Sequence, residues 1–411
     1  MAVVQEVFLG RLNEVVERLR ARVPFYADRL GEGALRSLDD FTALPFTTKD
    51  DFRETYPFGL FAVPMEKVVR LHMSSGTTGK PVVVGYTAKD VSDWAEAMAG
   101  ILAAAGINSS DVLQNAFPYG LFTGGMGYQL GAERLGVTVV PTGIGVTQRQ
   151  VMLIEDLGVT VLACAPSYAL VLAEAIAREK VRTKLKLRVG FFGAEPWSDG
   201  MRHQIEYGLG LEPYDVYGLT ELGGPGVAAE CREHDGLHIL EDYFYAEVIH
   251  PETGRVVEDG NEGELVLTSL RREATPVLRY RTRDRSVLVS EQCPCGNPAR
   301  RIRKVSGRTD DLLMLNGGNV FPSQIEAILL EVEGLTGNYQ LVVDRQAKQE
   351  DTLQVLVEAV DGADGDVLRR KARERIRDTI GLDCTITVLG SGILPRFDDR
   401  ASRVVDRRRQ S

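Results

Sequence analysis

Apolar residues at Val4, Val7, Phe8, Leu12, Val15, Val16 and Leu19 recur at helical spacing, so an amphipathic helix opens the chain and stops before Pro24. From about Val68 to Asp215 the rhythm changes. Short β-branched runs, among them Val82-Val83-Val84, Val137-Thr138-Val139-Val140 and Val159-Thr160-Val161-Leu162, alternate with alanine-rich segments of helical period. That alternation predicts an α/β core on a largely parallel sheet. Beyond Glu230 the runs shorten, with strands predicted over Glu264–Thr268 and Ser286–Val289 and turn signals at Asp259-Gly260 and Asn261-Glu262-Gly263. A β-rich subdomain over about 230–307 is the expectation.

Past Gly307-Arg308-Thr309-Asp310-Asp311 the pattern changes again. A helix is predicted near Pro322–Leu330, strands near Leu341 and Val355, a charged helix over Asp366–Ile380 and a strand over Thr385–Leu389. These make a small α+β domain. The chain therefore divides into an N-terminal domain over 1–307 and a C-terminal domain over 308–411, joined by a short hinge because no low-complexity linker intervenes.

Composition narrows the class. With 411 residues, 44% hydrophobic and 26% charged, the chain suits a soluble protein with a large buried core. A net charge of -10 argues against a general nucleic-acid or anionic-membrane surface, so anionic ligands must be held by local sites. Glu6 and Arg11 interrupt the apolar pieces at the N-terminus, which leaves no signal-peptide layout. The longest uncharged stretch, Leu157–Ala173, is divided by Pro166-Ser167 into a strand and a helix start. A cytoplasmic protein is the expectation. Its five cysteines do not make a disulfide scaffold in a chain this long.

The densest chemistry lies in Ser74-Ser75-Gly76-Thr77-Thr78-Gly79-Lys80-Pro81. Glycines let the backbone approach an anion, hydroxyls and backbone NH groups donate hydrogen bonds, and lysine adds a mobile point charge. A polyphosphate ligand follows. A Walker loop would need glycine where Ser74 stands and Ser or Thr where Pro81 stands, so the P-loop reading fails.

Further motifs stand in a fixed order: Gly193-Ala194-Glu195-Pro196, Asp215-Val216-Tyr217-Gly218-Leu219-Thr220-Glu221, Tyr280-Arg281-Thr282-Arg283-Asp284, Gly307-Arg308-Thr309-Asp310-Asp311 and Asn319-Val320-Phe321-Pro322. Each alone is weak. With the Ser74–Lys80 loop, together they resemble the acyl-CoA synthetase and luciferase adenylate-forming superfamily. Within it, Pro45-Phe46-Thr47-Thr48-Lys49-Asp50, Tyr56-Pro57-Phe58-Gly59-Leu60-Phe61 and Gly120-Leu121-Phe122-Thr123-Gly124-Gly125 look like the phenylacetate-CoA ligase family.

The resemblance implies two half-reactions. A carboxylate attacks the α-phosphate of ATP to give an acyl-adenylate and pyrophosphate; a thiol, usually of CoA, then displaces AMP. Because an anion attacks an anion, the site must neutralise charge and hold its reactants in line. By resemblance Ser75, Gly76, Thr77, Thr78, Gly79 and Lys80 hold the β and γ phosphates, while Thr220 and Glu221 belong to the catalytic centre, Glu221 as ligand of Mg²⁺. Tyr217, Gly218 and Asp215 are implied at adenine, Gly193, Ala194, Glu195 and Pro196 at its other face, Asp284 at the ribose diol and Arg308 at ribose or phosphate.

The acid pocket is expected over Phe117–Met126, where the rings of Phe117, Tyr119 and Phe122 can meet an aryl group, Gly124 and Gly125 leave room for it, and Met126 closes the segment. The resemblance also implies a structural zinc held by Cys231, His238, Cys293 and Cys295, with His234 as the competing imidazole. Asp310 is the expected hinge between half-reactions, and Gly317-Gly318-Asn319 the expected lining of a CoA channel. An aromatic acid and CoA are thus the expected partners, and a homodimer is a further expectation of the resemblance.

Several residues depart from the family pattern. Phe117-Pro118 replaces its usual Tyr-Gly pair, and Asn316 and Gly318 replace an arginine and a valine. Arg400, in Pro395-Arg396-Phe397-Asp398-Asp399-Arg400-Ala401, stands where the family carries its adenylation lysine; a guanidinium keeps the charge but is larger, planar and less hydrated. Three functions stay open: an aryl or arylacetic acid CoA ligase in which Arg400 performs the lysine's task; an adenylating enzyme with another acid or acceptor, such as a carrier thiol, an amine, or nitrite in diazotisation of an aryl amine; and a silent nucleotide-binding protein.

Overall fold

The computed structural model describes residues 2–74, 80–179, 184–309, 313–315, 318–320, 322–345, 351–395 and 403–409. They form two compact units, one of residues 1–194 and 205–304, the other of residues 195–204 and 305–411. In the first unit the opening helix spans Ala2–Arg22 and buries Phe8, Leu12, Val15, Val16 and Leu19, as its spacing predicts. Val7 departs from that stripe. It is half exposed, at the edge of the buried face.

The main sheet of this unit is mixed. Its parallel half contains β3 (Val112–Asn115), β4 (Thr138–Val140), β5 (Val161–Cys164), β6 (Val189–Gly193) and β7 (Glu212–Leu219), in the order β4-β3-β5-β6-β7. Two of the predicted β-branched runs are here, at β4 and β5. Beyond β7 the sheet continues antiparallel through β8 (Gly224–Glu230), β9 (Leu237–Ile239), β13 (Arg301–Ile302), β12 (Tyr280–Val289), β11 (Glu262–Ser269) and β10 (Phe244–Ile249). Antiparallel pairing begins at Gly224, earlier than the change of pattern near Glu230 suggests, because a tight turn and not a helical crossover follows β7.

The run Val82-Val83-Val84, expected within the parallel core, lies outside it. It enters β2 (Val83–Tyr86), which pairs antiparallel with β1 (Arg70–Met73) in a separate two-stranded sheet. Its burial on every residue explains the misreading, since a continuously apolar strand is also the signature of a parallel sheet. The helices Ala88–Ala104, Gly124–Arg134 and Pro166–Glu179 supply Trp94, Met98, Tyr128 and Leu172 to the buried interior.

The second unit has its own core. Its four-stranded sheet places Thr385–Leu389, Asp351–Ala359, Leu335–Arg345 and Val404–Asp406 side by side, the central pair antiparallel and the outer strands parallel to their neighbours. The helix Gly365–Ile380 is capped by the Asp364 carboxylate, buries Leu368, Ala372 and Ile376 at i, i+4 spacing, and ends at Gly381 with φ +68°. Among the described residues no helix is long and apolar enough to cross a membrane.

Candidate active site and metal centre

The parallel strands direct their C-terminal ends to one side, and strand order reverses between β3 and β5, since β4 lies beyond β3 while β5, β6 and β7 run the other way. Loops at such a reversal diverge and leave a crevice for ligands. Gly193 ends β6, and a Cβ there would collide with the Val216 carbonyl oxygen. Ala194 follows in the left-handed region at φ +69°, a conformation unfavourable for a residue with a side chain. Glu195 and Pro196 belong to the second unit, where the Glu195 carboxylate lies 4.0 Å from Arg403. In that unit Arg403 also donates to Glu326 at 2.7 Å, and both are buried.

On β7, the Asp215 amide donates to Glu230 Oε2 at 2.9 Å, and the Tyr217 hydroxyl donates to Asp284 Oδ2 at 2.6 Å. Alternation along β12 turns Tyr280, Thr282, Asp284, Ser286 and Leu288 inward, so Asp284 is buried and its arginine neighbours are more open. The Asp284 amide in turn donates to Thr282 Oγ1 at 3.0 Å. Gly218 passes so close to the Gly224 carbonyl that no side chain would fit. Thr220–Leu222 then form a 3₁₀ turn that ends on Gly223 at φ +97°. That turn buries Thr220 and Glu221, yet no described residue hydrogen-bonds or pairs with the Glu221 carboxylate.

The loop after β1 is closed at its neck by Ser74. Its amide donates to the Val82 carbonyl at 3.0 Å, and its hydroxyl accepts from the Val82 amide at 3.1 Å. Ser75, Gly76, Thr77, Thr78 and Gly79 lie outside the described residues. Lys80 is exposed, with Nζ 5.2 Å from the centroid of the Tyr56 ring. Asp310, Gly317 and Arg400 also fall outside the described residues. Arg308 sits half-buried in the short strand Gly307–Arg308, and Gly318 and Asn319 lie in the strand Gly318–Val320, paired with Leu313–Leu315.

The Phe117–Met126 segment follows β3. Phe117 is buried and stacked on Tyr128, with ring centroids 5.1 Å apart and planes 4° from parallel. Its ring therefore belongs to the core. Asn115 Nδ2 donates to the Tyr119 hydroxyl at 2.8 Å and to the Gly125 carbonyl at 2.6 Å, which fixes both ends of the segment. Burial pushes the Tyr119 hydroxyl up to about 12, so it stays protonated at neutral pH. The expectation that Gly124 and Gly125 leave open space needs correction. A Cβ on Gly124 would stand 2.7 Å from the Phe122 ring, and one on Gly125 2.8 Å from the Pro118 carbonyl oxygen, so both glycines permit close packing of this segment on itself. Met126 packs against the core.

Cys231, His238, Cys293 and Cys295 converge, with their ligand atoms all within 4.8 Å of one another. Cys231 Sγ and Cys293 Sγ are 3.7 Å apart, and Cys295 Sγ lies 3.4 Å from His238 Nε2. Two thiolates on a tetrahedral zinc at bond lengths of about 2.3 Å would stand roughly 3.8 Å apart, so the spacing fits such an ion. His238 Nδ1 donates to the Ala299 carbonyl at 3.1 Å, and burial lowers the imidazole pKa, which leaves Nε2 as a free lone pair facing the sulfurs. The competing His234 is engaged elsewhere, its nitrogens on Glu230 at 3.2 Å and Glu212 at 3.1 Å. Burial pushes the Cys231 thiol up to about 12, and a cation is what would favour its thiolate.

Two contributors carry no local signal in the sequence. Trp94 Nε1 donates to the Pro225 carbonyl at 2.8 Å, across 131 residues, and braces the strand that follows the Thr220–Leu222 turn. Asp90 accepts from the amides of Glu273 and Ala274 at 2.8 and 2.9 Å, holding the approach to Tyr280. Only long-range pairing identifies them.

Comparison with known proteins agrees with the motif order. The AMP-binding enzyme family profile matches residues 35–270, and the AMP-binding enzyme C-terminal domain profile matches residues 317–408. The chain is 44% identical to a phenylacetate-coenzyme A ligase of Thermus thermophilus, covering 97% of this chain and 95% of that protein. It is 45% identical to a phenylacetate-coenzyme A ligase of Pseudomonas putida, covering 97% and 93%. Among solved structures, a 2-hydroxyisobutyryl-CoA ligase in the postadenylation state, in complex with R3-HIB-AMP, matches with a TM-score of 0.92 at 29% identity, covering 100% of this chain and 91% of that one.

Proposed function

Because this chain belongs to the AMP-binding enzyme family, and within it groups with the phenylacetate-coenzyme A ligases, we propose that it joins an aromatic carboxylic acid to CoA through an acyl-adenylate. The observation that carries the reading is near-full-length identity of 43–45% to four such ligases. In the first half-reaction a carboxylate oxygen bonds to the α-phosphorus of ATP and pyrophosphate leaves. In the second the CoA sulfur bonds to the acyl carbon, its proton is lost, and AMP leaves.

Tyr217 presents its ring to adenine, and its hydroxyl holds the Asp284 carboxylate toward the ribose hydroxyls. Lys80 brings positive charge to the phosphates by leaving its weak contact with Tyr56. Glu221, a buried carboxylate with no partner among the described residues, suits Mg²⁺, which when bound would neutralise the phosphate oxygens. Cys231, His238, Cys293 and Cys295 hold a structural zinc, a closed set with no open ligand position.

Release of AMP and pyrophosphate, followed over phenylacetate, benzoates, aminobenzoates, cinnamates and nitrite with and without CoA, tests the function. CoA-dependent turnover of an aryl acid is expected. Failure with every carboxylate, together with AMP release on nitrite, would overturn it. Arg400 at the lysine's position favours a second reading, in which another acid or acceptor is used. On the first reading Arg400→Lys leaves the adenylation rate within about threefold; a rise on the order of a hundredfold, the scale of one transition-state contact, marks the arginine as unsuited to carboxylate activation.

Tyr217→Phe keeps the ring and removes the hydroxyl. A hydrogen bond to a charged carboxylate contributes about 1.5–3 kcal/mol, so the Michaelis constant for ATP is expected to rise about tenfold or more while that for the acid stays. Initial rates at varied ATP and at varied acid separate the two.

A further inference from the structure

His72 lies in β1, just before the Ser74–Lys80 loop, and is 2% exposed. Its Nδ1 is 3.1 Å from the Leu121 carbonyl oxygen, which can only accept, so Nδ1 carries the proton. Burial lowers the imidazole pKa and keeps the ring neutral, with Nε2 as a bare lone pair. That nitrogen has no hydrogen-bond partner among the described residues. The imidazole ring packs edge-on against Tyr86 and Trp94, with ring centroids 5.3 and 6.0 Å from its own, and those two rings are stacked with centroids 5.4 Å apart.

A leucine would leave no buried acceptor unsatisfied here, and although Arg70 and Arg272 are near enough to act on the ring, neither hydrogen-bonds Nε2. The imidazole therefore costs stability at Nε2, and its return is the bond to Leu121. The Met73 amide donates to the same carbonyl at 2.8 Å, so backbone and side chain of β1 grip one point of the Phe117–Met126 segment. Trp94 meanwhile donates to Pro225, beyond the Glu221 turn. One buried aromatic group thus braces both stretches.

We propose that His72 is a positioning residue that sets the placement of the Phe117–Met126 segment through the Leu121 carbonyl, and so governs recognition of the carboxylic acid and not of ATP. The inference rests on reading that segment as the acid pocket through the partly exposed rings of Tyr119 and Phe122, and not through the core ring of Phe117 or the close-packed Gly124 and Gly125. Substitution at His72 removes only the side-chain grip on Leu121 and leaves the Met73 amide bonded to the same carbonyl.

Three variants of the full chain test it: His72→Leu, which removes the donor; His72→Asn, whose amide nitrogen sits near the position of Nδ1; and His72→Gln, whose amide sits near that of Nε2. Amide hydrogen exchange over residues 119–125, read without substrate, is expected to accelerate about three- to tenfold in His72→Leu and His72→Gln and to return toward wild type in His72→Asn, the scale of one hydrogen bond. The Michaelis constant for the aromatic acid should follow the same order, with that for ATP within about twofold. Unchanged exchange in both His72→Leu and His72→Gln, or equal exchange in His72→Asn and His72→Gln, overturns the positioning role. Accelerated exchange in a protein whose acid constant does not move leaves the grip standing and removes Phe117–Met126 from the acid pocket, which overturns the proposal of acid recognition. Absence of aryl-acid turnover by the wild type instead overturns the function, and the exchange measurement still decides whether His72 holds the segment.

Discussion

Glu221→Gln is expected to lower the rate of adenylate formation by about a hundredfold or more, the largest effect of any single change at this site. The substitution preserves shape and removes one negative charge. No described residue hydrogen-bonds or pairs with this buried carboxylate, so its loss breaks no contact within the described structure. What it removes, on the proposed function, is the hard oxygen ligand offered to Mg²⁺ where pyrophosphate departs as an anion. Pyrophosphate release at saturating ATP and acid measures the rate, and a titration with Mg²⁺ locates the cause. The concentration of Mg²⁺ needed for half-maximal rate should rise in the variant. A slow variant with an unchanged Mg²⁺ requirement would remove Glu221 from the metal site, and a wild-type rate would remove it from catalysis.

If Cys231, His238, Cys293 and Cys295 hold the proposed zinc, its loss is expected to have the second-largest effect, on the fold. Structural zinc sites in small domains contribute apparent free energies of about 10–16 kcal/mol, since the unfolded chain has no preformed site. In a unit with a large core of its own the share felt by global unfolding is smaller. About 3–5 kcal/mol, at about 2–4 °C per kcal/mol, lowers the melting temperature on the order of 10 °C. Elemental analysis of the purified protein should give about one zinc per chain by the four-ligand count of such sites. Cys293→Ser, or a strong chelator, should release it and produce the drop. Cys231 directly follows β8 and His238 lies in β9, the strand beside it. Unfastening them loosens Glu230, which accepts from the Asp215 amide, so adenylation should fall with stability. A metal-free protein with full stability would make the cluster a set of reduced thiols.

Much of this molecule is legible along the chain. The helical stripe from Phe8 to Leu19 follows from its 3.6 period, and the β-branched runs Val137–Val140 and Val159–Leu162 mark the strands Thr138–Val140 and Val161–Cys164, though not their exact ends. Val82–Val84 was legible as a strand but not as a hairpin partner, because burial on both faces erases alternation. Motif chemistry was legible as well, since hydroxyls, carboxylates, thiolates and glycines at short spacing carry their own preferences. Gly218 and Gly223 stand where backbone approach and positive φ require glycine, which only the folded backbone reveals.

Other features depend on residues that meet across the fold. Phe117 reads as a pocket ring until its stacking on Tyr128 assigns it to the core, and His234 competes with His238 until Glu212 and Glu230 engage it. Tyr217 and Asp284 are 67 residues apart, and their hydrogen bond exists only because β7 and β12 occupy their places in one sheet. By itself the sequence determined the elements, the inventory of reactive groups and the family's order of motifs, because these depend on residue type and short spacing. The tertiary structure alone decided which groups share a site. Strand order and register come from long-range hydrogen bonding and burial, and these place Cys231 beside Cys293 and His72 beneath Leu121.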